Sequence, residues 1–165
     1  MMKNGALWQT WWRKRNRLDP EAYQGPCAFS VTVSTWQRAS VFTDPAEVAV
    51  CVEALGDTAL RHGFAVLAYC FMPDHLHLLV EGSDGSDLSR FMKAFKQTTS
   101  FHHKERTGRS LWQRSYYDHV IRNEEDAQRA FAYVLENPVR AGLVEDVDDY
   151  PFLGGVLVRE MLVAT

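Results

Sequence analysis

Phe71-Met72-Pro73-Asp74-His75-Leu76-His77-Leu78-Leu79-Val80 joins two apolar runs through a Pro-Asp step. Residues 64–72 are apolar at nearly every position, as in a strand covered on both faces, and Pro73-Asp74 reads as a tight connection into the next strand. In that second strand residues two apart share a face. His75 and His77 therefore project together, while Leu76, Leu78 and Val80 point the other way into a core. Two imidazoles side by side have metal-ligand geometry; the same pattern also suits a solvated or hydrogen-bonded pair.

Working outward, residues 27–36 alternate Phe29, Val31 and Val33 with Ser30, Thr32 and Ser34, the period of a half-buried strand. Asp44-Pro45-Ala46-Glu47 opens a helix as N-cap, Pro at N1 and acid at N3; Val48, Cys51, Val52, Leu55 and Ala59 share its apolar face, and Gly63 stops it. After a Gly/Ser/Asp loop at 82–86, Leu88, Phe91, Met92 and Phe95 fall at helical spacing, with Arg90, Lys93 and Lys96 on the other face. Residues 116–122 read as a fourth strand. Asn123 then caps a third helix with Asp126 at N3 and a stripe of Ala127, Ala130, Phe131 and Val134. The order β-α-β-β-α-β-α predicts an α+β fold of the split βαβ, ferredoxin-like plan: an antiparallel sheet with its two crossover helices on one face. The opposite face is left to carry His75 and His77, and the additional C-terminal helix can lie across them.

The 165 residues, 46% apolar and 12% aromatic, suit one domain with a sizeable core. Cys27, Cys51 and Cys70 have neither disulfide-framework nor zinc-knuckle spacing, which points to a reducing compartment, the cytosol. No stretch has the form of a signal peptide or a membrane span, so no membrane partner is expected. The net charge of -3 conceals an uneven distribution. Residues 1–24 form a basic arm with Trp8, Trp11 and Trp12 among Lys3, Arg13, Lys14, Arg15 and Arg17; bases also prevail from Arg90 to Arg122, and acids gather at 145–149. Such basic stretches can follow a phosphate backbone while tryptophans stack on unpaired bases, or they can be a solvated helix face and a tail. The main domain is expected over residues 25–150, followed by a tail at 151–165 that carries no motif.

A second group of segments narrows the chemistry: Leu111-Trp112-Gln113-Arg114, Asp118-His119-Val120-Ile121-Arg122-Asn123, and Tyr133-Val134-Leu135-Glu136-Asn137-Pro138-Val139-Arg140-Ala141-Gly142-Leu143-Val144. With Phe71 to Val80 they resemble the single-tyrosine HUH transposases, most closely the REP-associated tyrosine transposases of bacteria. That resemblance implies that His75 and His77 bind a divalent metal, that Tyr133 is the nucleophile toward single-stranded DNA, and that Asn137 is a polar third ligand. It further implies cleavage and rejoining at a DNA hairpin through a 5′-phosphotyrosine link, leaving a free 3′-hydroxyl. Helix geometry agrees, because residues four apart share a face, and the Asn-Pro step sets Asn137 at or near the helix end. Two imidazoles with an amide oxygen suit Mg²⁺ or Mn²⁺, although Zn²⁺ also binds His-x-His. The sequence leaves monomer and dimer open, with the monomer favoured.

Other residues admit two readings each. Tyr116 and Tyr117 are rival nucleophiles or base-stacking groups; His119 approaches the site or pairs with a neighbour. His102 and His103 read as helix-end polar residues near DNA, and His62 as a cation at a helix C-terminus. Trp112 is a DNA contact or a core anchor. Arg114, Arg122 and Arg140 complete the expected DNA-binding set with Arg90, Lys93 and Lys96, Arg140 for a base or phosphate. Two other functions compete: a catalytically silent hairpin binder, and a zinc hydrolase of small substrates.

Overall fold

A computed structural model describes residues 24–164; the basic, Trp-rich arm expected at 1–24 lies almost wholly outside them. Strand β1 (Ala28–Ser34) leads through two 3-10 turns, Trp36–Arg38 and Val41–Thr43, into helix α1 (Pro45–His62). The Asp44 carboxylate accepts the Ala46 N–H, and Gly63 ends the helix at φ 72, a conformation that favours glycine. Strands β2 (Phe64–Met72) and β3 (His75–Gly82) form the hairpin turned by Pro73-Asp74. Helix α2 (Leu88–Thr107), capped by Asp87, precedes β4 (Tyr117–Val120) and helix α3 (Glu124–Arg140). At the start of α3, Asn123 accepts the Asp126 N–H, and the Asp126 carboxylate accepts from Arg122 N–H and pairs with His119.

The sheet is antiparallel throughout, in the order β4-β1-β3-β2 with a fifth strand at the edge. Its register sets Thr32 across from His77 and Ser34 across from His75. Phe29, Val31, Val33, Phe71, Leu76, Leu78 and Val80 meet α1 and α2 on one face, in a core that includes the fully buried Phe42, Phe91 and Phe95. Each such side chain contributes about 1.5–3 kcal/mol by leaving water. The other face packs Ala28, Ala68, Cys70, Met72 and Leu79 against Ala127, Phe131, Val134 and Leu135 of α3.

That second face is more covered than the sequence suggests. Residues 151–164 do not form a free tail: β5 (Leu153–Gly154) pairs with Tyr69 and Cys70 of β2, and helix α4 (Val156–Val163) buries Leu157 and Val158 in the second core. A β-bulge between Val66 and Ala68 makes room, letting the Gly155 backbone lie against Leu67 and Ala68.

Three local expectations are corrected. Trp112 is a core anchor, 6% exposed, its indole N–H donated to Thr99 Oγ1 at 2.8 Å and its rings against Phe42 and Phe95, so no face is left for DNA. Lys96 donates from Nζ to the Gln113 and Arg114 carbonyls at 2.7 and 2.8 Å, tying α2 to the following loop instead of projecting toward a phosphate. His103 is buried against the buried Glu47 at 3.0 Å, and Arg106 reaches Glu47 and Asp44, so the capping acid of α1 joins the two helices.

Candidate active site

The two histidines converge by their Nε2 atoms, 2.9 Å apart. Each ring is held from behind: His75 Nδ1 lies 2.6 Å from Asp74 Oδ1, and His77 Nδ1 lies 2.9 Å from Thr32 Oγ1. Asp74 is itself fixed by Arg38, whose Nε is 2.9 Å from Oδ2 and whose terminal nitrogen donates to Ser34 Oγ at 2.8 Å. A carboxylate accepts only, so the His75 Nδ1–H donates to it and its Nε2 faces that of His77. Burial, then His75 and the Arg38 charge, push the His77 pKa down to about 3, so this ring is neutral at pH 7.

Helix α3 lies over this pair. The Tyr133 ring meets His77 edge-on, centroids 5.1 Å apart, and the Arg140 guanidinium lies 5.8 Å from the Tyr133 centroid. Tyr133 is 45% exposed, so a large substrate can reach it. The helix does not stop at the Asn-Pro step: it runs through Pro138 to Arg140, with Asn137 in its last turn. Pro138 has no N–H to give the helix ladder, and the Asn137 side-chain Nδ2 donates to the Tyr133 backbone carbonyl in that turn. Tyr133 and Asn137 are thus joined through the backbone as well as by helical spacing.

The residues present fit a divalent cation. Nitrogens at this separation can both reach one ion through bonds of about 2.0–2.1 Å, and both rings carry the back-side hydrogen bonds that orient imidazole ligands. Among the described residues no group of three His, Cys, Asp or Glu side chains could hold a metal; Asn137, expected as a third ligand, stands one helical turn after Tyr133 on the same helix.

The expected DNA-binding residues separate. Arg140 stands at the site, and Arg122 is exposed just ahead of α3. Arg90 and Lys93 are exposed on α2, which packs on the opposite face of the sheet, as does the loop bearing Arg114. Tyr117 is 85% exposed on the edge strand, and Tyr116 lies beside Lys96. His119 pairs with Asp126 at the start of α3. Sequence reasoning passed over Thr32, Arg38 and Asp74. Asp74 could have been noticed from its place before His75; Thr32 and Arg38 are chosen by strand register and loop shape.

A family model described as transposase IS200 like matches residues 24–137. The chain is 30% identical over 111 residues to a Haemophilus influenzae protein provisionally named a REP-associated tyrosine transposase, covering 60% of this chain and 63% of that protein. It is 33% identical over 92 residues to the REP-associated tyrosine transposase of Escherichia coli K12, covering 54% and 53%. The chain therefore spans less than two thirds of the length of either relative. Among solved structures, that of a REP-associated tyrosine transposase bound to a REP hairpin superposes with a TM-score of 0.69 at 22% identity, over 84% of this chain and 82% of that one. A Deinococcus radiodurans structure assigned provisionally as a transposase gives 0.53 at 21%, over 70% and 92%. Both likenesses are of fold.

Proposed function

The chain belongs to the IS200-like transposase family, and from that membership we propose that it cleaves and rejoins single-stranded DNA at hairpins, with Tyr133 as nucleophile. The observation that carries this reading is the edge-on contact of Tyr133 with His77, whose Nε2 converges with that of His75. A relative binds a REP hairpin in its solved structure, which supports a hairpin of that kind as substrate.

In this reading the Tyr133 oxygen attacks a backbone phosphorus. A new P–O bond to the tyrosine forms, the bond to the 3′ oxygen breaks, and the leaving oxygen takes up a proton as a 3′-hydroxyl. The phosphodiester count is unchanged, so a second 3′-hydroxyl can reverse the step and join another strand. A free phenol, with a pKa near 10, is ionised only to about 0.1% at neutral pH, so the site must help. Mg²⁺ or Mn²⁺ held by His75, His77 and Asn137 would polarise the scissile phosphate and stabilise charge as it develops. Arg140, against the Tyr133 ring, is positioned to attract the phosphate. Thr32 and Asp74 hold the imidazoles so that no reorientation accompanies the reaction. A half-exposed tyrosine on the surface of α3 lets a folded hairpin approach.

The test incubates the protein with a labelled hairpin bearing single-stranded flanks, taken from repeats beside its gene, with Mn²⁺ or Mg²⁺. A covalent protein–DNA adduct that survives denaturation is expected for the wild type and is expected to vanish with Tyr133→Phe or chelator. Binding without an adduct under either metal would favour a catalytically silent hairpin binder, and turnover surviving Tyr133→Phe would favour a water-using hydrolase.

A further inference from the structure

We propose that the cleft between the β1–α1 loop and the C-terminal end of α2 is a subsite for one unpaired nucleotide of the DNA strand, its base stacked on Trp36 and its phosphate on Arg109. This rests on the hairpin-cleavage reading and adds a second point of contact outside the Tyr133 site. The cleft has a volume of about 740 Å³, within the range of small-ligand sites.

Trp36 is 49% exposed on its wall, in contrast to the buried Trp112. The backbone beneath it is pinned. Its N–H donates to the Leu111 carbonyl at 2.8 Å, and the preceding, fully buried Thr35 donates its hydroxyl to the Asp74 and Ala39 carbonyls. The next two residues, Gln37 and Arg38, lie at φ 54 and 55, a region that side chains with a Cβ disfavour. A loop that holds two such residues in succession and still turns a tryptophan outward fixes an aromatic surface ready for a planar partner. An unpaired base supplies one, whatever its identity.

The facing wall separates used from unused charge. Arg106 is engaged by Asp44 and Glu47, and Glu47 is also bonded to His103. Arg109 lines the same cleft, and its guanidinium meets no carboxylate among the described residues. The acids of the cleft are thus matched, and Arg109 is left to attract an anion. The same loop reaches the site on its other side, where Arg38 holds Asp74 and Asp74 holds His75. Trp36 lies in the same 3-10 turn as Arg38, two residues before it, so one loop serves both the cleft and the site.

The experiment measures binding of the full chain to a labelled hairpin, with and without a single-stranded flank, by fluorescence anisotropy in chelator so that no cleavage intervenes. Trp36→Ala is expected to weaken the flanked hairpin roughly 5- to 150-fold, the range for one base–aromatic stack, and to leave the bare hairpin unchanged. Trp36→Phe should retain most of the affinity, and Arg109→Gln should lose affinity and salt dependence with the flanked hairpin only. Scanning an abasic position along the flank should find one site at which wild type and Trp36→Ala bind alike. Equal losses on both hairpins, or no loss, would overturn the subsite. If Trp36→Ala does not fold, the abasic scan on the wild type decides, and a scan with no costly position overturns it. A wild type that binds the flank through Trp36 but forms no Tyr133 adduct would refute the cleavage chemistry and leave the subsite standing; an adduct indifferent to Trp36 would do the reverse.

Discussion

Asp74 stands between Arg38 and His75, and this short relay decides how the site is held. Arg38 Nε and His75 Nδ1 bind different oxygens of one carboxylate, at 2.9 and 2.6 Å. Removing such a back-side partner from a ligating histidine costs roughly 10- to 100-fold in metal affinity. Asp74→Ala is therefore expected to weaken Mn²⁺ binding by that factor, and Arg38→Ala to weaken it less, since the carboxylate survives. Titration calorimetry checks both; an unchanged affinity in Asp74→Ala would show that the histidines need no support. At this scale the sequence was partly legible. His75 and His77 stand out by spacing, and Tyr133 only through the resemblance of its segment to a known family, whereas Thr32 reaches His77 only because strand pairing brings together residues 45 apart.

Among the elements, β5 and α4 depend on a backbone contact. Gly155 has φ 117, and a Cβ there would lie 2.5 Å from the Leu67 carbonyl oxygen and 2.7 Å from the Ala68 Cα. These are backbone atoms of the bulged strand and cannot swing aside. Gly155→Ala is expected to destabilise the protein by about 1–3 kcal/mol, read as a lower midpoint in urea with the second core loosened first. An unaltered midpoint would mean that α4 can dock without this close approach. The sequence offered no warning of this, because residues 151–165 are too few and too weakly patterned to announce a strand and a helix. By contrast, α1, α2 and α3 carried their apolar stripes openly, as α1 and α3 did their caps Asp44 and Asn123; the structure adds Asp87, which accepts an N–H of the first turn of α2.

For the whole molecule, two cores on either side of one sheet bury groups that resist ionisation. Burial pushes the Cys51 and Cys70 thiols from 9.0 up to about 12, and burial with the nearby Cys70 raises Tyr150 to about 12. A group whose pKa rises on folding contributes stability that is complete below its unfolded value. That stability is lost as pH climbs toward the folded value, because the unfolded chain gives up a proton the native state keeps. Stability is therefore expected to fall between about pH 9 and 12, each thiol adding a slope of about 1.4 kcal/mol per pH unit. Urea titrations across that window check it, with Cys51→Ala giving a shallower decline; a flat alkaline limb would refute it. By itself the sequence determined the order of elements through the third helix, the helix faces, the caps at Asp44 and Asn123, and the shared face of His75 and His77, since these follow from local periodicity and side-chain chemistry. Only the tertiary structure decided that Trp112 and His103 lie inside, that Lys96 clamps a loop, that the last residues close the second face, and that Tyr133 meets His77. Those outcomes depend on contacts between segments far apart in the chain, and residue type alone does not fix which partner a buried polar or aromatic group will find.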